Sequence, residues 1–130
     1  GRTAADLYHL SFFRQLGVRI ILTTEDGSKG EPGRITEPLK RELQTTSGRS
    51  TMIYACGPTR MMQAVAELGT SANRPTEVSL EPIMGCGLGG CYSCVVPVRT
   101  ANTKSQSHFV RSCLEGPVFS GTEIIWPNLI

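Results

Sequence analysis

The sequence predicts an α/β fold, a parallel sheet with helices on both faces, followed by a small and mostly β module. Helical and strand-like patterns alternate through the first half of the chain, while short β-branched runs separated by glycine-rich loops fill the second. The composition changes around Gly69 to Arg74, which places a boundary between residues 1–72 and 73–130. Strands alternating with helices imply parallel pairing with both faces covered.

Taken in order, Ala4 to Leu16 sets Leu7, Leu10 and Phe12 or Phe13 at helical spacing, and Gly17 stands where a helix cap belongs. Val18-Arg19-Ile20-Ile21-Leu22-Thr23 is rich in β-branched residues and predicts a strand. A loop of Gly, Pro and acidic residues runs from Glu25 to Gly33, and Ile35 to Leu43 resumes a helical pattern. Thr51 to Ala55 predicts a strand, Cys56-Gly57-Pro58 a turn, and Pro58 to Leu68 a helix with proline in its first turn. Beyond the boundary, strands are expected at Thr76 to Leu80, Cys94 to Arg99, His108 to Arg111 and Glu123 to Trp126. Thr100 to Ser107 is polar without periodicity and reads as a mobile connector. The second module holds about 55 residues, so its core is thin and metal ligation is expected to supply much of its stability.

The 130 residues carry a formal charge of +2 and no basic run, which argues against a nucleic-acid partner. No apolar stretch approaches the roughly 20 residues of a membrane span. A soluble, cytoplasmic protein with unpaired cysteines is expected. The chain opens at Gly1 without an initiator Met, in what reads as a helix, and is therefore expected to be a fragment of a longer protein.

Three cysteines fall within nine residues, Cys86-Gly-Leu-Gly-Gly-Cys91-Tyr-Ser-Cys94, and Cys113 follows at a distance. The spacing C-x4-C-x2-C…C is that of a plant-type ferredoxin site, in which four thiolates hold one [2Fe–2S] cluster. Two tetrahedral irons need soft ligands, three here from one tight loop and the fourth from elsewhere. Gly85, Gly87, Gly89 and Gly90 let that loop take positive φ and bring backbone N–H groups to the sulfurs. Leu88, Tyr92, Val95 and Val96 are candidates to shield the group from water. A structural zinc site remains an alternative, although zinc more often shows two C-x2-C pairs. A disulfide framework fits less well, because the cysteine count is an odd five and 39% hydrophobic content can build an ordinary core.

The strand-turn-helix around Cys56-Gly57-Pro58 is the second informative feature. It puts backbone N–H groups and a helix N-terminus at the carboxyl end of a parallel sheet, where open α/β folds bind nucleotides. Gly57 and Pro58 equally suit a plain turn. Met61 and Met62 are expected in the core. His9 and His108 lie at no metal-ligand spacing. Trp126 faces either the cysteine module or a partner surface.

Together, Gly1-Arg2 with Asp6-Leu7, the Glu25-Asp26-Gly27-Ser28-x-Gly30-x-x-Gly33 loop, Tyr54-Ala55-Cys56-Gly57-Pro58-x-x-Met61-Met62, Ser79-Leu80-Glu81, the cysteines and Cys113-Leu114-Glu115-Gly116-Pro117-Val118-Phe119 resemble the PyrK-type electron-transfer subunits of dihydroorotate dehydrogenase. The resemblance spans essentially the whole chain. It implies a partial ferredoxin-reductase-type NAD-binding domain followed by a [2Fe–2S] domain. It also implies an electron relay in pyrimidine biosynthesis, between a nicotinamide nucleotide with FAD and an FMN-containing catalytic partner, in a hetero-oligomer. No catalytic acid or base is implied among these residues.

By the same resemblance, Cys86, Cys91, Cys94 and Cys113 are the cluster ligands. Cys56, Gly57 and Pro58 would lie beside the nicotinamide, and Thr24, Glu25 and Asp26 near the adenosine ribose. Acidic groups there would repel a 2′-phosphate and favour NAD over NADP. The flavin-binding barrel and the first nucleotide-domain strand are not in this sequence, so the fragment is expected to be catalytically incomplete and to bind no FAD alone. Small subunits of ferredoxin-dependent NAD(P)H oxidoreductases or sulfide dehydrogenases share the architecture. Those often carry an acidic residue in place of the first cluster cysteine, which is Cys86 here. A zinc-stabilised binding module without redox function is the reading from a different class.

Overall fold

The computed structural model describes residues 1–46, 50–100 and 103–129, with backbone alone for Thr100 and for 103–106. The chain divides into two compact units, Gly1–Ser47 and Gly48–Ile130.

The first unit opens with a 3-10 turn, Ala4–Asp6. The Asp6 carboxylate accepts the backbone N–H groups of Arg2 (2.9 Å) and Thr3 (2.8 Å), which closes the turn on itself. Leu7 then leaves in extended conformation and His9 takes a left-handed φ of 58° before helix α1, Leu10–Gln15. The single helix expected over Ala4–Leu16 is thus two pieces. Gly17, at φ 68°, caps α1 with its N–H on the Arg14 carbonyl. The strand expected over Val18–Thr23 contracts to β1, Thr23–Thr24, parallel to β2, Glu31–Pro32. A strand needs a neighbour for its backbone groups, and among the described residues only β2 is paired with this segment. Gly30 is dictated by close approach, since a Cβ there would lie 2.2 Å from the Leu22 carbonyl oxygen. Helix α2, Thr36–Thr45, follows as its leucines predict and buries Pro38 and Leu43.

In the second unit, β3 (Ile53–Cys56), α3 (Thr59–Ser71) and β4 (Thr76–Ser79) form a repeat of strand, helix and strand. Strands β3 and β4 pair in parallel from Ile53↔Thr76 to Cys56↔Ser79. Inside α3, Gly69 lets the helix close onto β4, because a Cβ there would sit 2.0 Å from Thr76 Oγ1. Strands β5 (Val95–Thr100) and β6 (Thr103–Arg111) form an antiparallel ladder. The connector expected over Thr100–Ser107 is largely strand, since backbone pairing does not require apolar side chains; Ala101 and Asn102 lie outside the described residues. After α4 (Ser112–Glu115), β7 (Val118–Ser120) joins β4 antiparallel, giving the sheet order β3-β4-β7. No strand runs from Glu123 to Trp126. Ile124 makes one bridge to Val98, and Trp126 opens a 3-10 turn, Trp126–Asn128.

One core fills this unit. Met62 and Ala66 of α3, Val78 and Leu80, Val96, Val98 and Val110 of the hairpin, Ile124 and Trp126 pack as a single cluster. The Trp126 indole N–H donates to the Gly121 carbonyl at 3.1 Å, so this side chain belongs to the interior. Met62 is buried, as its helical position predicts.

Candidate functional site

The cysteine loop joins Leu80, at the end of β4, to the start of β5. Gly87 (φ 64°), Gly89 (φ 77°) and Tyr92 (φ 60°) turn its backbone through left-handed conformations. Ser93 pins the base of the loop: its hydroxyl accepts the Gly85 N–H at 3.0 Å, donates to the Ile83 carbonyl at 3.2 Å, and lies 3.1 Å from Cys91 Sγ. Arg111 ties the loop to the hairpin, with Nη1 donating to the Gly89 carbonyl at 2.7 Å and the guanidinium 5.1 Å from the Tyr92 ring centroid. The sequence marked neither Ser93 nor Arg111. Both are generic polar residues until the fold brings them against the loop.

A hydrogen bond joins Cys94 Sγ and Cys113 Sγ at 3.2 Å, and the Cys91 side chain is close enough to Cys86 to lower its thiol. Among the described residues, no three His, Cys, Asp or Glu side chains surround one metal point. Paired thiolates suit a dinuclear group, in which each tetrahedral iron takes two of the four protein sulfurs. The N–H of Leu88 donates to Cys86 Sγ at 3.3 Å. This bond, with N–H groups of Cys91 and Gly90 and the Cys91 side chain, lowers the Cys86 thiol to about 6. The Cys113 N–H and side chain likewise lower Cys94. Cys113 is pushed up, first by its bond to Cys94, then by desolvation and the neighbouring thiolate charges, with Arg111 opposing.

These observations fit a thiolate-bound iron–sulfur group: soft donors held partly as thiolates, backbone N–H groups aimed at sulfur, and glycines where a side chain would intrude. A Cβ on Gly85 would lie 3.1 Å from Cys91 Sγ. Of the four residues expected to shield the group, Leu88 is 90% exposed and Tyr92 60%, whereas Val96 is turned into the core.

The second segment sits at the carboxyl ends of β3 and β4. Gly57 takes φ 144°, and the Pro58 carbonyl accepts the N–H groups of Met61 (2.8 Å) and Met62 (3.0 Å) as α3 begins. The Cys56 thiol donates to Glu81 Oε1 at 3.5 Å; burial first, and the adjacent carboxylate second, push this thiol up. A groove of about 520 Å³ opens here, lined by Gly57, Pro58, Thr59, Leu80, Glu81 and Ile83. Glu81 is a site residue the sequence reading left without a role.

In the first unit, Thr24 is fully buried, and its hydroxyl donates to the Lys29 carbonyl (2.9 Å) and accepts the Lys29 N–H (3.1 Å). Asp26 accepts the Ser28 hydroxyl (2.6 Å) and N–H (2.9 Å), which hold its carboxyl below the usual range. Glu25 is exposed.

Residues 81–125 match the family model described as the iron-sulfur cluster binding domain of dihydroorotate dehydrogenase B, and residues 11–67 that of the oxidoreductase NAD-binding domain. Fold and matches together describe one arrangement: a segment similar to oxidoreductase NAD-binding domains followed by one similar to iron–sulfur domains. The chain is 38% identical over 114 residues to the electron transfer subunit of dihydroorotate dehydrogenase B (NAD(+)) of Desulforamulus reducens, covering 88% of this chain and 42% of that protein. It is 36% identical over 124 residues to the same subunit of Bacillus caldolyticus, covering 95% and 44%. Among solved structures it matches the NADH-dependent reduced ferredoxin-NADP oxidoreductase, studied for flavin-based electron bifurcation, with a TM-score of 0.72 and 28% identity, over 98% of this chain and 43% of that one. By these matches residues 81–125 are similar to the dihydroorotate dehydrogenase B iron–sulfur domain and residues 11–67 to oxidoreductase NAD-binding domains, and the curated homologues are named dihydroorotate dehydrogenase B electron transfer subunits. It spans less than half the length of those relatives.

Proposed function

We propose that this chain is the nucleotide- and cluster-binding part of an electron-transfer subunit serving an FMN-containing dihydroorotate dehydrogenase catalytic partner in a hetero-oligomer. Residues 1–72 serve NAD and residues 73–130 the cluster, while FAD is held by sequence outside this chain. Cys86, Cys91, Cys94 and Cys113 hold a [2Fe–2S] cluster. When bound, such a cluster supplies one-electron carriage beside a flavin that accepts hydride as a two-electron unit. The chain's own residues hold and insulate: Ser93 and Arg111 fix the loop, and the N–H groups around Cys86 stabilise thiolate. The observation that carries the reading is the Cys94–Cys113 sulfur pair, with a backbone N–H donating to Cys86, in a segment similar to the dihydroorotate dehydrogenase B iron–sulfur domain. No helix among the described residues is long and apolar enough to cross a membrane.

For the nucleotide, Cys56, Gly57 and Pro58 take the nicotinamide end and Thr24, Glu25 and Asp26 the adenosine ribose. With its hydroxyl and carboxylate engaged internally, Thr24 and Asp26 shape this loop, and exposed Glu25 is the freer acidic group. NADH bound more tightly than NADPH by the complete protein is the expected result, and the reverse preference removes the assignment.

Iron and acid-labile sulfide analysis of anaerobically purified protein tests the cluster. Two irons and two sulfides per chain, lost in Cys91→Ser and retained in Cys56→Ser, support it; zinc without sulfide overturns it. The structural likeness to the ferredoxin-NADP oxidoreductase favours a second reading, a small subunit of a ferredoxin-dependent NAD(P)H oxidoreductase. Reduction of ferredoxin but not of a dihydroorotate dehydrogenase flavin by the complete protein would select it.

A further inference from the structure

Ser112 is fully buried, and its hydroxyl has no hydrogen-bond partner. Buried hydroxyls are rarely left so, and each exception asks for an explanation. The hairpin register supplies one. Val95 pairs with Arg111 and Val96 with Val110, so the next rung sets Ser112 opposite Cys94. The Ser112 N–H donates to the Cys94 carbonyl at 3.1 Å, which continues the ladder by that rung. Directly opposed residues put their side chains on one face of an antiparallel pair. On this face the neighbouring rung is Val96 and Val110, both buried, and Cys94 is the single buried thiol of the five. Ser112 also precedes Cys113, whose sulfur lies 3.2 Å from that of Cys94. An otherwise apolar face therefore holds a lone donor on the rung of Cys94.

We propose that Ser112 is a tuning residue whose hydroxyl donates to sulfur at the Cys94 side of the bound cluster and raises its reduction potential. The inference rests on the reading of Cys94 and Cys113 as cluster ligands. Reduction adds one electron and no proton, so negative charge grows on the sulfurs, and a donor there favours the reduced form.

The test is an anaerobic redox titration of the cluster-loaded protein, followed by electron paramagnetic resonance, for wild type, Ser112→Ala and Ser112→Thr. The alanine variant is expected to retain its iron and sulfide and to favour the oxidised cluster by about tenfold, 59 mV for one electron. The threonine variant, which keeps the donor, stays near wild type. An alanine variant at the wild-type potential, or alanine and threonine variants shifted alike, overturns the proposal. Should Ser112→Ala load poorly, unfolding of the cluster-free proteins decides. Ser112→Ala at least as stable as wild type agrees with a donor that lacks a partner until the cluster binds, and a lower midpoint shows a structural bond and overturns the proposal. Wild-type protein without iron and sulfide would instead remove the cluster reading itself.

Discussion

Arg111 reaches from the hairpin to the cysteine loop, and removing it should loosen the grip on the cluster. Its bond to the Gly89 carbonyl is charge-assisted and partly buried, a type worth about 1.5–3 kcal/mol. Its position over Tyr92 adds about 0.5–1 kcal/mol, at the lower end because the ring is 60% exposed. Discounted for solvent, Arg111→Ala should favour the open loop by about 2 kcal/mol, and a factor of ten corresponds to about 1.4 kcal/mol. If a chelator reaches iron only through the open loop, cluster loss should quicken by about 30-fold. Arg111→Lys keeps the charge without the planar fork and should fall between. The assay is the first-order decay of visible absorbance under anaerobic chelator. Arg111→Ala decaying within twofold of wild type would refute the reasoning, since the loop would then be held by Ser93 and the ligands alone.

Gly69→Ala should lower stability by about 1–2 kcal/mol, read as a lower urea midpoint, because overpacking against Thr76 Oγ1 outweighs the gain in helix propensity; Thr76→Ala in the same protein should return part of it. Trp126→Phe strands the buried Gly121 carbonyl and should cost about 1–2 kcal/mol by the same measurement, with iron content unchanged. Asp6 and Asp26 are both held below the usual aspartate value of about 3.9, by the Thr3 and Ser28 hydrogen bonds respectively. Their contribution is therefore complete above that value and is lost as pH falls through the lower folded value. Far-UV circular dichroism of the protein should show no dependence on these groups between pH 5 and 8, and Asp26→Asn should flatten the acid limb below about pH 4.

Helices α2 and α3 and strands β3 and β4 were legible because apolar periodicity and the flanking glycine and proline residues agree there. Val18–Leu22 and Glu123–Trp126 have equally strand-like composition and do not form strands, because extended backbone becomes a strand only beside a partner. Strand β7 escaped notice for the opposite reason: three residues after Pro117, with Val118 exposed, carry little pattern until β4 offers them an edge. The polar start of β6 is held by its ladder with β5. At the site, cysteine chemistry is written in spacing alone. Arg111, Ser93 and Ser112 acquire meaning only from the register and turns that set them against sulfur.

The shared core of the second unit bears on how such chains can be recombined. An exchange of cluster modules between relatives, cut at the compositional seam near residue 73, would part Met62 and Ala66 from Val96, Val98, Val110 and Trp126. Hybrids joined there must reconcile two halves of one interior, whereas hybrids joined near residue 48 carry that interior across intact. A library of crossover points scored for soluble expression should therefore favour junctions ahead of β3 over those between α3 and β4. Moving the cysteine module between chains should therefore require moving the helix behind the Cys56-Gly57-Pro58 turn with it.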